Sequence, residues 1–291
     1  TLRHTLFPYT TLFRSLFNGL RNGIGLGTTE LHVLRARPST SSAYVFYLTR
    51  SDPFRELGTA NMYGSAGQKR VPEDFVRDFT SGFPPLPEQR AIAAFLDRET
   101  SQIDTLIRKQ ERLIELLEEK RAALISHAVT KGLDPDVPMK DSSIEWLGSI
   151  PQHWETASLR YLTSCLDGRR IPLNAEERAS RPGRYPYWGA NGIVDHIDDW
   201  LFNEELVLLG EDGAPFFDRH KDVAFVVAGK IWVNNHIHVL RVKAGTDTRF
   251  LAYCLNTVNY EPFIEGSTRD KLTQGRMNTI PVQCPPLPEQ R

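Results

Sequence analysis

Two short polar loops carry the residues best suited to holding a polyanion. Residues 266–272 read Gly-Ser-Thr-Arg-Asp-Lys-Leu, and residues 64–70 read Gly-Ser-Ala-Gly-Gln-Lys-Arg. Small residues let a backbone approach a phosphate closely, and Ser, Thr, Arg and Lys side chains supply donors. Ser267, Thr268, Arg269 and Lys271 are therefore candidate nucleic-acid contacts, with Gln68, Lys69 and Arg70 as their counterparts. Asn191, in the turn of residues 189–192, could present its amide to a base or a phosphate; a plain turn accounts for it equally well. Lys230 and Asn234 border a strand-like run and are further groove-facing candidates. Arg169-Arg170 reads as a solvated basic pair.

Catalytic chemistry is not visible. His236 and His238 alternate on a strand and so share a face, and with His196 and His220 they would be the ligands of a metal-dependent nuclease. No third ligand follows at a metal-type spacing, so the pair reads as packed or surface histidines, and no metal is expected. The sequence has no (Asn/Asp)-Pro-Pro-(Tyr/Phe) element and no Gly-x-x-x-x-Gly-Lys-(Ser/Thr) loop. The glycine run of residues 23–27 lacks the spacing of a dinucleotide-binding turn. Glu118-Glu119-Lys120 reads as a solvated helix face. No catalytic residue and no cofactor is assigned to this chain.

What positions these loops is a tandem repeat. Pro-Pro-Leu-Pro-Glu-Gln-Arg at 84–90 returns intact at 285–291, 201 positions later. His32-Val33-Leu34-Arg35 matches His238-Val239-Leu240-Arg241, and Gly64-Ser65 with Lys69 matches Gly266-Ser267 with Lys271. The offset drifts from 206 through 202 to 201, as small loop deletions would produce. Landmarks recurring in order make two related modules.

Between the modules lies one helix. Pro87 suits a first turn, and Glu88 suits the positive end of the helix dipole. Ile103, Leu106, Leu113, Leu117 and Leu124 follow the three-four alternation of a coiled-coil seam, and Gly132 ends the run. The expected rod, about 43 uninterrupted residues, is roughly 64 Å long and spans on the order of 19 base pairs of B-DNA. A stripe this long needs a partner in water. The second copy of the heptapeptide would begin an equivalent helix, and without it the stripe predicts self-association.

The second module opens at 144–154 (Ile-Glu-Trp-Leu-Gly-Ser-Ile-Pro-Gln-His-Trp). It carries strand-like runs at 206–209, 223–227 and 236–242, and a helical stretch at 247–256. The fold class is α+β. With 40% apolar and 24% charged residues the composition is that of a globular protein. Its apolar runs are too short to cross a bilayer, and no signal-peptide pattern opens it. Cys165, Cys254 and Cys284 have no metal-type spacing and read as reduced cytoplasmic thiols. A net charge of −1 neither requires nor excludes nucleic acid, because a local basic face suffices.

Three segments together resemble the specificity subunit of type I restriction–modification systems. They are residues 84–97 (Pro-Pro-Leu-Pro-Glu-Gln-Arg-Ala-Ile-Ala-Ala-Phe-Leu-Asp), residues 132–142 running into Ile150-Pro151-Gln152-His153-Trp154, and residues 229–241. The resemblance covers residues from about 23 onward. It implies mixed α/β target-recognition domains separated by a long coiled-coil helix. Residues 1–86 would hold the C-terminal part of the first recognition domain, with 1–22 set aside as suspect sequence. Residues 87–131 would be the spacer helix, 132–284 the second recognition domain, and 285–291 the start of the second helical region. The chain would then be a fragment. The implied partners are double-stranded DNA, modification (methyltransferase) subunits and restriction subunits. S-adenosylmethionine, ATP and Mg²⁺ would belong to those subunits.

Overall fold

The computed structural model describes residues 15–17, 31–64, 69–266 and 269–291. Its contacts divide the chain into two units, residues 1–112 and 113–291. In the first unit, α1 (Ser42–Arg50), α2 (Asp52–Ala60) and α3 (Glu73–Asp78) precede the long helix. The Ser41 hydroxyl caps α1 by accepting the Tyr44 N–H (3.4 Å). Pro53 stands in the first turn of α2, where its missing N–H costs nothing. Phe54, Phe75 and Phe79 cluster with ring centroids 4.8–5.8 Å apart. Of the three, Phe54 is buried.

The long helix, α4, runs Leu86–Lys131, 46 residues or ~69 Å. It begins one residue ahead of the expected start, with Pro87 in its first turn. Gly132 follows at φ +79°, a left-handed conformation that glycine adopts without strain, and its N–H bonds the Ala128 carbonyl (3.2 Å). Ile103, Leu106, Leu113, Leu117 and Leu124 are each 47–61% exposed, so the stripe is open among the described residues.

The second unit is an α+β domain. Its strands are β1 (Met139–Asp141), β2 (Ser149–Pro151), β3 (Glu155–Ser158), β4 (Thr163–Cys165), β5 (Pro182–Gly189), β6 (Gly192–Ile197), β7 (Phe202–Asn203), β8 (Leu206–Gly210), β9 (Ala224–Val227), β10 (Lys230–Val233), β11 (Ile237–Val242), β12 (Ile264–Glu265), β13 (Lys271–Leu272) and β14 (Pro281–Cys284). Its helices after α4 are α5 (Leu159–Leu162), α6 (Ala175–Ala179), α7 (Thr248–Thr257), α8 (Gln274–Met277) and α9 (Leu287–Gln290). One sheet is antiparallel in the order β4-β11-β8-β9. The other has the order β6-β5-β10-β7, and its β5–β10 pair is parallel.

The unbroken apolar run of β8 is explained by burial on both faces. Val207 and Leu209 pack into the core with Leu251 and Leu255 of α7. Leu206 and Leu208 point the other way, among Phe202, Ile231, Val233 and Val239. Asp247 caps α7 by accepting the Arg249 and Phe250 N–H groups. The C-terminal turns of α4 belong to this core: Val129 is buried in it, and the buried Gln283 amide donates to the Val129 carbonyl (2.6 Å).

Each copy of the heptapeptide makes the same junction. In the first unit the Gln89 amide accepts the backbone N–H of Ser41, the α1 cap (2.9 Å), and donates to the Pro84 carbonyl (2.8 Å). In the second, Gln290 accepts the N–H of Asp247, the α7 cap (2.7 Å), and donates to the Pro285 carbonyl (2.7 Å). One glutamine thus ties the start of a helix to the cap of another, satisfying backbone groups that neither element satisfies alone. Glu289 adds a tie of its own, accepting the Trp154 indole N–H (2.9 Å) and bonding His153 Nε2 (2.8 Å). The Trp154 hydrogen bond, foremost, holds the Glu289 carboxyl below the usual range, against the opposing effect of burial.

The histidines repeat as well: His32 Nε2 lies 2.9 Å from the Val71 carbonyl and His238 Nε2 2.8 Å from that of Leu272. This sets Arg70, rather than Lys69, opposite Lys271, so the deletion falls inside the loop. Gln89 is only 3% exposed, and Gln89→Ala strands the Ser41 N–H and the Pro84 carbonyl. The variant should lose about 1–3 kcal/mol of unfolding free energy in urea titration. An unchanged midpoint would mean that water takes the amide's place.

Candidate nucleic-acid interface

The turn after β8, Glu211-Asp212-Gly213, is where the second module gathers its polar side chains. The backbone stitches it from both sides. The Glu211 N–H donates to the His236 carbonyl (3.0 Å), the Leu272 N–H to the Glu211 carbonyl (2.8 Å), and the Gly213 N–H to the Asp270 carbonyl (3.0 Å). Gly213 has φ +70°, a left-handed conformation that favours glycine, and the Arg269 guanidinium lies 2.8 Å from where a Cβ would stand.

Beneath the turn lies an ion cluster that is almost out of water. Arg170 has a side chain 13% exposed. It donates to Glu211 (2.6 Å) and to the Ile237 carbonyl (2.8 Å), and lies 3.4 Å from Asp167. Asp167 in turn bonds His238 Nδ1 (2.6 Å) and accepts the Val239 N–H (2.8 Å). Burial raises the Asp167 pKa, but the His238 hydrogen bond and charge, the Val239 N–H and Arg170 outweigh it and hold the carboxyl below its ordinary range. The two His238 nitrogens face the Asp167 carboxylate and the Leu272 carbonyl.

Most of the candidates in this unit converge here. Arg269 pairs with Asp212 (2.9 Å), and Lys271 Nζ lies 3.6 Å from Glu211. The Asn191 amide donates to the Gly213 carbonyl (3.4 Å). Asn234 closes the loop entering β11, its side-chain oxygen accepting the Asn235 N–H (2.6 Å). His236 sits 3.1 Å from Asp212. Lys230 stands apart, with Nζ 3.6 Å from the centroid of the Trp200 ring. In the first unit Lys69 and Arg70 are exposed, and the Arg70 backbone pairs with Tyr63. Ser267, Thr268 and Gln68 lie outside the described residues.

One expectation needs correction. Arg170 is no solvated partner of Arg169; it is the largely buried centre of the cluster, because two carboxylates from distant segments meet at that point. The metal set His196, His220, His236 and His238 does not assemble. Among the described residues the one group with metal-type geometry is Asp167, Glu211 and His238, which includes only one of those four. Arg170 already supplies the positive charge between its two carboxylates, so the group acts as an ion-pair cluster. Sequence reasoning missed Asp167, Arg170 and Glu211. Their segments carry only turn signals, and the pairing is long-range.

The match to a known family falls on this module. Residues 151–291 match the family described as the type I restriction modification DNA specificity domain. This stretch, just under half of the chain, is similar to that family's domain. S.HindORF215P of Haemophilus influenzae, named as a type I restriction enzyme specificity subunit, is 33% identical over 149 residues, 51% of this chain and 35% of that protein. The EcoAI specificity subunit of Escherichia coli is 43% identical over 105 residues, 35% of this chain and 17% of that protein. A solved chain, described as the structural basis of complex assembly and conformational transition of the type I R-M system, superimposes with a TM-score of 0.58 at 17% identity. It covers 87% of this chain and 61% of its own length, and shows a shared fold. The matched stretches thus span well under two thirds of the two curated relatives.

In this specificity domain Arg170→Ala leaves two largely buried carboxylates facing each other. It should cost about 3–5 kcal/mol in chemical denaturation. Stability should also depend on acid. A carboxyl held below its unfolded value, 3.8 for Asp167, contributes fully above that pH and loses its contribution as the pH falls through the folded value. Asp167→Asn should flatten that part of the stability profile below about pH 4, and an acid limb unchanged from the parent would contradict the assignment.

Proposed function

We propose that this chain is a DNA-reading, non-catalytic component of a type I restriction–modification complex, acting on a bipartite duplex site. The match of residues 151–291 to a DNA specificity domain carries the reading. The repeated Gln89 and Gln290 junctions support it, since they mark two modules built to one plan. Each module reads one half-site, by base-edge contacts in a groove, while phosphate contacts set the register. In the second module Asn191, Asn234, Arg269 and Lys271 are the side chains offered to DNA around the 211–213 turn. Ser267 and Thr268 continue that loop, and Gln68, Lys69 and Arg70 are the counterparts in the first.

Methylation and cleavage belong to modification and restriction subunits, with S-adenosylmethionine, ATP and Mg²⁺ bound there. The open stripe of Ile103, Leu106, Leu113, Leu117 and Leu124 is the seat for a second helix, from the same complex or from another copy. No described helix is long and apolar enough to cross a membrane, and the proposed site of action is the cytoplasm.

Genomic adenine methylation mapped by single-molecule sequencing, in a host carrying the cognate modification subunit with and without this protein, checks the proposal. A single bipartite motif that appears only when the protein is present is expected. No new methylation from a soluble, assembled complex would overturn it.

A further inference from the structure

The cations around the 211–213 turn are paired: Arg269 with Asp212 and Lys271 with Glu211. A different cluster, on the β5–β10–β7 part of the other sheet, is not. Lys230 Nζ lies 3.6 Å from the Trp200 ring centroid and 5.5 Å from that of Tyr185. Arg184 stacks 5.1 Å from the Tyr185 ring centroid and donates to its hydroxyl (3.1 Å). Tyr185 and Trp200 meet edge to face at 5.1 Å. Arg184 and Trp200 are exposed, and Tyr185 and Lys230 partly so.

Four carboxylates of neighbouring segments are engaged elsewhere. Asp198 and Asp199, next to Trp200 in sequence, are held by Arg181 at 2.9 and 3.6 Å. Asp195 pairs with Arg178 (3.3 Å), and Glu204 with Arg241 (2.6 Å). Among the described residues neither Arg184 nor Lys230 forms an ion pair with a carboxylate. Two cations therefore stand fixed against aromatic faces, pre-ordered and uncompensated. A ring face attracts the charge but leaves N–H donors for an anion. The Tyr185 hydroxyl, bonded first of all by Arg184 and then acted on by Lys230, has its pKa lowered, which is the mark of local positive potential.

We propose that Arg184 and Lys230, braced by Tyr185 and Trp200, grip the phosphate backbone of duplex DNA at a second contact, separate from the 211–213 turn. Charge complementarity commits the patch to a polyanion, and the proposal rests on the DNA-reading function above. The contact positions the duplex and reads no base, because its cations are held against rings of their own module.

The test is the salt dependence of duplex binding by the assembled complex, with R184Q, K230Q and the double variant. Each phosphate contact contributes about 0.9 to the slope of log K against log salt concentration. The single variants should each lower the slope by about 0.9, and the double variant by about 1.8. The methylated motif should stay the same. The single variants keep the test intact where the double one fails to assemble. An unchanged slope overturns the proposal, and so does a motif altered at a defined base, which would mean base reading. If the unmodified complex binds no DNA at all, the function itself fails, an outcome distinct from a normal complex whose variants change nothing.

Discussion

Arg170 brings one positive charge to a place where only 13% of its side chain meets solvent, between carboxylates on two separate segments. Such a charge is tolerated only when it is paired and its hydrogen bonds are met. Glu211, Asp167 and the Ile237 carbonyl meet them. Asp167 is held by His238 and Val239, and His238 by Leu272. Through these bonds the start of β11, the β13 strand and the 211–213 turn come to one point. The outer shell of Arg269, Lys271, Asn191 and His236 is attached to that turn by its own hydrogen bonds and ion pairs. Removing the guanidinium would leave the display of these residues without its support.

The second constraint sits at the helix starts. A helix that begins beside another helix's cap leaves backbone groups that must find partners. Both copies of Pro-Pro-Leu-Pro-Glu-Gln-Arg answer with the same glutamine, and each reaches a residue at the same place in its module, Ser41 and Asp247. The repeated sequence is thus a repeated joint. In the second copy Glu289 extends it to Trp154 and His153, so the Ile-Pro-Gln-His-Trp segment and the heptapeptide, far apart in sequence, are two sides of one contact.

Much of this was legible from the residues. Gly132 as a helix stop, Pro87 in a first turn and the strand at 206–209 all follow from local backbone rules. The convergence of Asn191 with Arg269 and Lys271 was not, since the 189–192 turn and the 266–272 loop lie far apart in sequence. Arg170 was misread because a pair of adjacent arginines looks the same whether solvated or buried; only the distant Glu211 decides it. Likewise the alternation of His236 and His238 suggested a shared face, yet each histidine bonds a different aspartate. Lys230 was found as a candidate, but its aromatic partners Tyr185 and Trp200 come from other segments, and no spacing rule links them.

The central proposal is that residues 132–284 form the reader of one half-site, with the Gln290 joint at its C-terminal end. Exchanging that segment for its equivalent from a specificity subunit of different target, then mapping methylation in the host, tests it most directly. The account predicts that one half of the bipartite motif changes, while the other half and the gap between them stay as they were. A motif altered in both halves, or unaltered in both, would contradict it.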